Sequence, residues 1–201
     1  MVYRANWLNH AGAVSTHNEA TLHAFDREIQ VRPGMSILLV GVGNGGGLEI
    51  WQALIPDGTV KGLDPNPACQ HLPGVTVMQC DPTERDAVRA ALRGSWWDAV
   101  IDSTGTMQPY VWPFLRPGGT YVYEGYNVDM ALILIRDLAL EDDSWLPIEE
   151  IMRVNTYQSC LVIEKRNPRV VPYMDIVTGN FADIIPEADL YATGHKRVIP
   201  A

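Results

Sequence analysis

The stretch SILLVGVGNGGGLEIW, residues 36–51, runs from apolar residues into a cluster of glycines and then into a helix-like pattern. The apolar run predicts a buried strand, and the segment LEIWQAL predicts a helix. Glycine is favoured where a backbone turns sharply or where a ligand lies against it. The stretch therefore predicts a strand, a tight turn and a helix, with a turn that a ligand can approach closely.

Length and charge limit what the chain can do. With 201 residues, 47% of them apolar, and a net charge of -9, we expect a filled core and no attraction to nucleic acid or to anionic membrane. The N-terminus lacks the apolar centre of a signal peptide, and no apolar run is long enough to span a membrane. Cys69, Cys80 and Cys160 are widely spaced, which is typical of reduced cysteines. These features predict a cytoplasmic protein.

Short apolar strands alternate with helical patterns along the chain. The predicted strands are SILLVG, TVKGLD, GVTVMQC, WDAVID and GTYVYEG, and the predicted helices are THNEATLHAFDREI, LEIWQAL, PTERDAVRAAL and NVDMALILIRDLAL. IMRVNTY and SCLVIEKR are close enough to form a hairpin. This α/β alternation predicts a mainly parallel sheet that is covered on both faces.

The last 35 residues differ from the rest. Residues 167–201 are rich in proline and show little periodicity, although they contain many apolar side chains. We expect residues 1–166 to form one domain and residues 167–201 to form an arm. The arm would pack on that domain or on a second subunit, which would make the protein a homo-oligomer.

The glycine turn and the second predicted strand together suggest a nucleoside site. Gly41, Gly43 and Gly46 fit the pattern G-x-G-x-x-G, which is weak evidence alone because a tight turn without a ligand also explains it. Asp64 ends the second strand, where an acidic group can accept hydrogen bonds from ribose hydroxyls. Both dinucleotides and S-adenosylmethionine are compatible with these residues.

Five motifs, in order, resemble those of the class I S-adenosylmethionine-dependent methyltransferases. LLVGVGNGG resembles the first motif, VKGLDPNP the ribose-binding second, GVTVMQCDPTE the third, WWDAVIDS the fourth, and LRPGGTYVYEG the turn and strand that follow. The resemblance implies a Rossmann-like α/β fold with a mainly parallel seven-stranded sheet and a reversed last strand. It also implies S-adenosyl-L-methionine as the cofactor. The cofactor-binding residues that it implies are Gly41, Gly43, Asn44, Gly45, Asp64, Asp81, Asp102 and Ser103.

The stretches GGGLEIWQALIPDGTVKGLD and IDSTGTMQPYVWPFLRPGGTYVYEG also resemble the macrocin- and mycinamicin-type sugar O-methyltransferases and their cephalosporin-hydroxylase-like relatives. Those proteins carry Asp-Asp-Gly-Ser-His after the fourth strand and Glu-Asp after the fifth, where the acids bind a divalent metal and the histidine acts as a base. Here Asp102 keeps the first acid, Ser103 takes the place of the second, Thr106 stands near the histidine position, and Gly125 follows Glu124. The metal and the base of the family therefore do not carry over, and we predict no metal site.

Methyl transfer to a hydroxyl requires a group that removes a proton. Our catalytic candidates are Asp102, His17 and Glu124. Each has an alternative role: Asp102 can orient the cofactor's ammonium group, His17 can be a half-exposed residue at a helix start, and Glu124 can cap a loop.

The main functional prediction is a methyltransferase that uses S-adenosylmethionine to methylate an oxygen of a small-molecule acceptor. One alternative is a protein that binds the cofactor without methyl transfer. A less favoured alternative is an NAD-dependent oxidoreductase, which only the glycine spacing supports.

Overall fold

The structure is a computed structural model, and it describes residues 19–66, 69, 76–104, 109–125, 150–167, 170–174 and 181–186. The helices within these ranges are α1 (Glu19–Glu28), α2 (Gly46–Leu54), α3 (Arg85–Ala91) and a 3-10 helix (Pro109–Phe114). The predicted helix NVDMALILIRDLAL lies outside the described residues. No helix in the described part of the chain is long and apolar enough to cross a membrane.

Seven strands form one sheet in the order β3-β2-β1-β4-β5-β7-β6. Neighbouring strands from β3 to β5 are parallel, and β7 is antiparallel to both of its neighbours. The predicted fold, including the reversed last strand and the late hairpin, is therefore confirmed. The bounds are β1 (Ser36–Val40), β2 (Thr59–Asp64), β3 (Thr76–Gln79), β4 (Trp97–Asp102), β5 (Leu115–Glu124), β6 (Ile151–Thr156) and β7 (Cys160–Lys165).

The central strands β1 and β4 are mainly apolar, as expected for a sheet that is covered on both faces. Along β1, Ile37 and Leu39 pack in one core with α1 and α2, whereas Leu38 and Val40 pack in a second core with α3 and the 3-10 helix. In the first core, the Phe25 ring meets the Trp51 ring edge-on at 5.4 Å between centroids. The alternation of side chains along one strand thus fills two cores.

The C-terminal region contains two strands that the sequence analysis did not predict. β8 (Val170–Met174) and β9 (Phe181–Pro186) pair antiparallel in a separate two-stranded sheet. Pro172 within β8 weakens the sequence signal, because proline is uncommon in paired strands. The packing of this arm on the domain or on a second subunit stays a prediction.

Two borders of the sheet run across the ends of its strands. We call the border where β1, β2, β4 and β5 end the carboxyl edge, and the border where they begin the amino edge. Because β7 is reversed, Cys160 at its start pairs with Glu124 at the end of β5. The turn between β6 and β7 therefore lies at the carboxyl edge, beside the ends of the parallel strands.

Candidate active site

The glycine turn connects β1 to α2 at the carboxyl edge. Gly41, Gly43 and Gly45 have φ angles of 78°, 56° and 89°, in the left-handed region where glycine is favoured. Asn44 accepts a hydrogen bond from the Gly46 amide through its Oδ1, at 3.2 Å, at the start of α2. The glycines are thus explained by backbone conformation, as the sequence predicted for a tight turn.

Two of these glycines face different surroundings. A Cβ atom on Gly41 would lie 3.0 Å from Cγ2 of Thr104, so this glycine allows the turn to pack against the loop after β4. A Cβ atom on Gly43 would have no heavy atom within 4 Å. The backbone at Gly43 therefore borders open space, which a ligand can fill.

Asp64, the predicted ribose-binding residue, holds the glycine turn in place. Its Oδ2 accepts hydrogen bonds from the amides of Val42, at 2.7 Å, and Gly43, at 3.2 Å, while its Oδ1 accepts one from the Asn66 amide, at 2.8 Å. Since each carboxylate oxygen can accept more than one hydrogen bond, Oδ1 can also accept a hydrogen bond from a ribose hydroxyl. The sequence analysis did not anticipate that the same side chain orders the turn.

Asp81, the predicted adenine-binding residue, follows β3 and is exposed. Its Oδ1 accepts hydrogen bonds from the Thr83 amide, at 2.9 Å, and the Thr83 hydroxyl, at 2.7 Å. These two bonds, the hydroxyl first, lower the pKa of Asp81. The amide of Cys80 donates to the carbonyl of Asp64 at 3.0 Å, which ties the end of β3 to the end of β2. Contact with adenine stays a prediction.

Asp102 ends β4 and is fully buried. Its Oδ1 accepts hydrogen bonds from the amide of Thr104, at 3.0 Å, and from its hydroxyl, at 2.7 Å, and its Oδ2 accepts one from the hydroxyl of Tyr121. Because no part of Asp102 is exposed, direct contact with an acceptor would require the surrounding side chains to rearrange. The arrangement thus suits the alternative role of Asp102 in ordering the site, while its role as a base stays a prediction.

Thr104 and Tyr121 were not predicted as site residues. Thr104 lies two residues after Asp102, a common spacing for local side-chain bonds to the backbone. Tyr121 reaches Asp102 because β5 runs beside β4, with Asp102 paired with Tyr123. The signal for Tyr121 was a tyrosine at alternate positions in TYVYEG, which marks one face of the strand.

Ser103 and Glu124 form the second side-chain pair at this edge. The hydroxyl of Ser103 donates to Oε2 of Glu124, and the Ser103 amide donates to the carbonyl of Val40 at 2.9 Å. Ser103 is exposed, whereas Glu124 is buried beneath it. The pair therefore presents a hydroxyl to the site, with a carboxylate behind it.

Cys160 pairs with Glu124 across β5 and β7, and its thiol is not activated. Burial, followed by the nearby carboxylates of Glu124 and Glu28, raises the pKa of its thiol to about 12. The thiolate is the reactive form of cysteine, so a cysteine nucleophile is disfavoured here.

His17 lies outside the described residues. In the first turns of α1, the hydroxyl of Thr21 lies 2.9 Å from the hydroxyl of Ser159. Ser159 belongs to the turn between β6 and β7, so α1 begins beside the carboxyl edge. The catalytic role of His17 stays a prediction.

The described residues do not fit a divalent-metal site. Among them, no group of three or more His, Cys, Asp or Glu side chains could hold a metal ion. Both oxygens of Asp102 accept bonds from Thr104 and Tyr121, and Glu124 accepts one from Ser103. A cation such as Mg²⁺ requires several oxygen ligands that converge on one point. We therefore derive no step through a metal.

No protein-family model matches the chain. No curated protein sequence matches it either.

Solved structures do resemble the fold. The MycE methyltransferase from the mycinamycin biosynthetic pathway, in complex with Mg, SAH and mycinamycin VI, is 25% identical with a TM-score of 0.56, over 72% of this chain and 44% of MycE. A second MycE structure, with Mg and SAH, gives 22% identity and a TM-score of 0.60 over 96% of this chain and 55% of MycE. The fibrillarin/Nop5p complex is 9% identical, with a TM-score of 0.51 over 73% of this chain and 79% of that one.

The chain spans about half the length of MycE. The predicted resemblance to mycinamicin-type methyltransferases is confirmed by these neighbours at the level of the fold. With its reversed β7 and its glycine turn beside Asp64, the chain has the Rossmann-like fold of the class I S-adenosylmethionine-dependent methyltransferases.

Proposed function

We propose that this protein is a methyltransferase that uses S-adenosylmethionine to methylate an oxygen of a small molecule. The observation that carries the proposal is the glycine turn, which borders open space at Gly43 and is held by Asp64 at the carboxyl edge. Ligands of open α/β sheets bind at this edge. The fold shared with MycE supports the same cofactor.

The residues at this edge suit a cationic cofactor. When bound, S-adenosylmethionine supplies a methyl group that its positively charged sulfur activates for displacement. Asp64, Asp102 and Glu124 each end a strand here, so three acidic side chains lie at the same edge as the glycine turn. Acidic side chains in this position favour a cationic ligand over an anionic one.

Ser103 and Glu124 are placed to serve the acceptor. The exposed hydroxyl of Ser103 can accept a hydrogen bond from an acceptor hydroxyl, while Glu124 holds the Ser103 hydroxyl in position. Since the described residues do not fit a divalent-metal site, proton removal falls to a side chain or to water. We infer that the acceptor hydroxyl is more acidic than that of a sugar, as in a phenol.

A second candidate function is cofactor binding without methyl transfer. The observation that favours it is Asp102, whose carboxylate is fully buried and engaged by Thr104 and Tyr121. An NAD-dependent oxidoreductase is less well supported, because Rossmann dehydrogenases build their sheet from parallel strands, whereas β7 here is reversed.

The predicted setting is the cytoplasm, with a small-molecule acceptor and without nucleic acid. Three free, buried cysteines, Cys69, Cys80 and Cys160, fit a reducing compartment. The net charge of -9 opposes binding to a phosphate backbone.

Isothermal titration calorimetry tests the proposal. We expect saturable binding of S-adenosylmethionine and of its demethylated product, S-adenosylhomocysteine, and no binding of NAD. A screen of phenols and sugars for methyl transfer, read by mass spectrometry, then separates transfer from binding alone. Binding of NAD without the sulfur cofactors would contradict the proposal.

A further inference from the structure

A second cleft, of about 360 Å³, lies at the amino edge of the sheet. It lies between the connection from α1 to β1 and the first residues of β4 and β5. The glycine turn lies at the other end of these strands. The proposed cofactor site therefore does not account for it. Its charged lining residues are Glu28, Arg32, Asp98, Arg116, Arg153 and Glu164.

Asp98 fixes two arginines at one point of this cleft. Its Oδ1 accepts hydrogen bonds from Nη2 of Arg32, at 2.8 Å, and Nη1 of Arg116, at 2.9 Å. Its Oδ2 accepts hydrogen bonds from the Ser36 amide, at 2.8 Å, and from the same Nη1 of Arg116, at 3.0 Å. Burial acts to raise the pKa of Asp98, but the bonds from Ser36, Arg116 and Arg32 outweigh it and lower the pKa. The carboxylate thus stays charged and orients both guanidinium groups.

The positive groups of the cleft are exposed, while most of the negative groups are buried. The side chain of Asp98 is 5% exposed, against 68% for Arg32 and 45% for Arg116. Arg153 is likewise half exposed above the buried carboxylate of Glu28. The six formal charges cancel, yet an incoming ligand meets mainly guanidinium groups.

Each of the two arginines retains unused donors. Asp98 engages only Nη2 of Arg32 and only Nη1 of Arg116, and a guanidinium has five N–H groups. The fixed fork of arginine matches the oxygens of phosphate and forms charge-assisted bonds with them. We propose that this cleft is a second ligand site, in which Arg32 and Arg116 bind the phosphate group of a small phosphorylated molecule.

The probe for this site is inorganic phosphate, titrated calorimetrically into the full chain at constant ionic strength, with chloride as the reference anion. We expect saturable binding that Arg32→Gln and Arg116→Gln each weaken by about tenfold or more, as for lost charge-assisted bonds. Arg89→Gln, on the exposed side of α3, makes the same charge change outside the cleft and should leave the affinity within about twofold.

Saturation with S-adenosylhomocysteine separates the two sites, because a helix start such as the glycine turn can also attract phosphate. We expect the phosphate affinity to be unchanged by S-adenosylhomocysteine, and Arg32→Gln to bind that nucleoside as the wild type does. Both arginines are exposed, so their variants should fold, which circular dichroism checks.

Three results would overturn the second site: phosphate binding that does not saturate, binding that Arg89→Gln weakens as much as Arg32→Gln does, or binding that S-adenosylhomocysteine abolishes. Phosphate binding at this cleft does not depend on the cofactor. If the methyltransferase proposal failed, the phosphate titrations of the wild type and of the arginine variants would still test this site.

Discussion

The two edges of the sheet hold their buried carboxylates in different ways. At the carboxyl edge, Asp102 accepts hydrogen bonds from the Thr104 and Tyr121 hydroxyls. At the amino edge, Asp98 accepts hydrogen bonds from Arg32 and Arg116 as well as from the Ser36 amide. The amino edge therefore carries exposed guanidinium groups that are fixed by a buried acid.

The difference bears on which ligands each edge can accept. A cationic cofactor is proposed at the carboxyl edge, where acidic side chains end the strands. At the amino edge, Arg32 and Arg116 add exposed N–H groups, which the proposed phosphate site requires. The two proposals therefore assign ligands of opposite charge to opposite ends of one sheet.

The largest expected effect is that of Gly43→Val. A branched side chain is strained at a φ of 56°, and its Cβ would enter the open space that the cofactor should fill. We expect the affinity for S-adenosylhomocysteine to fall by at least about a hundredfold, or about 2.8 kcal/mol, by calorimetry. Gly94→Val is the control, because Gly94 has a φ of 75° and equally open surroundings but follows α3. Equal loss in both variants would show strain alone.

Asp64→Ala should have the next largest effect. Loss of a hydrogen bond to a charged acceptor should weaken cofactor binding by about 1.5–3 kcal/mol. Because Asp64 also holds the turn, the amides of Val42 and Gly43 should exchange with solvent faster even without ligand. Asp57→Ala, in the exposed turn before β2, is the control. Unchanged affinity in a folded Asp64→Ala protein would remove this residue from the site.

Asp98 should make stability depend on acidity. Its folded-state pKa lies below its ordinary 3.8, so its contribution is present above that pH and is lost as the pH falls through the lowered value. At neutral pH, Asp98→Asn should cost about 1–3 kcal/mol of unfolding free energy. Urea unfolding between about pH 2.5 and 6 measures both effects. As the pH is lowered, the free energy of unfolding should fall less steeply for the variant than for the wild type. Parallel profiles would assign the acid sensitivity to other groups.

Chelation should have the smallest effect. Since the carboxylates of Asp102 and Glu124 are engaged by hydroxyls, we expect exhaustive removal of divalent ions to leave cofactor affinity and methyl transfer unchanged. The transfer assay requires an acceptor found in the screen. Loss of activity on chelation, with recovery on adding Mg²⁺, would show that Asp102 and Glu124 suffice for a metal.

The sequence predicted the fold because the central strands are buried on both faces and are therefore mainly apolar in sequence. It predicted the positions of Asp64 and Asp102 because each ends a predicted strand. The start of β5 was misjudged: Leu115 rather than Gly119 begins the strand, because Leu115 pairs with Trp97 before an irregularity in the register.

The bonds between these residues were beyond prediction because they depend on how distant segments meet. Ser103 and Glu124 were named separately, but their contact joins positions 21 residues apart across β4 and β5. Arg32 and Asp98 are 66 residues apart. The one available signal was an acid inside the apolar strand WDAVID, since a buried charge requires a partner.

The reversed β7 also affects how the chain is completed during synthesis. β6 emerges first, yet within the described sheet its neighbour is β7, which inserts between β5 and β6. Until Lys165 has left the ribosome, the hydrogen-bonding groups along the outer side of β5 have no strand to pair with. An unpaired strand edge is a template for association between chains. A product that terminates before β7 would therefore expose this side of β5 to other chains, although the glycine turn and all the parallel strands from β1 to β5 had already been made.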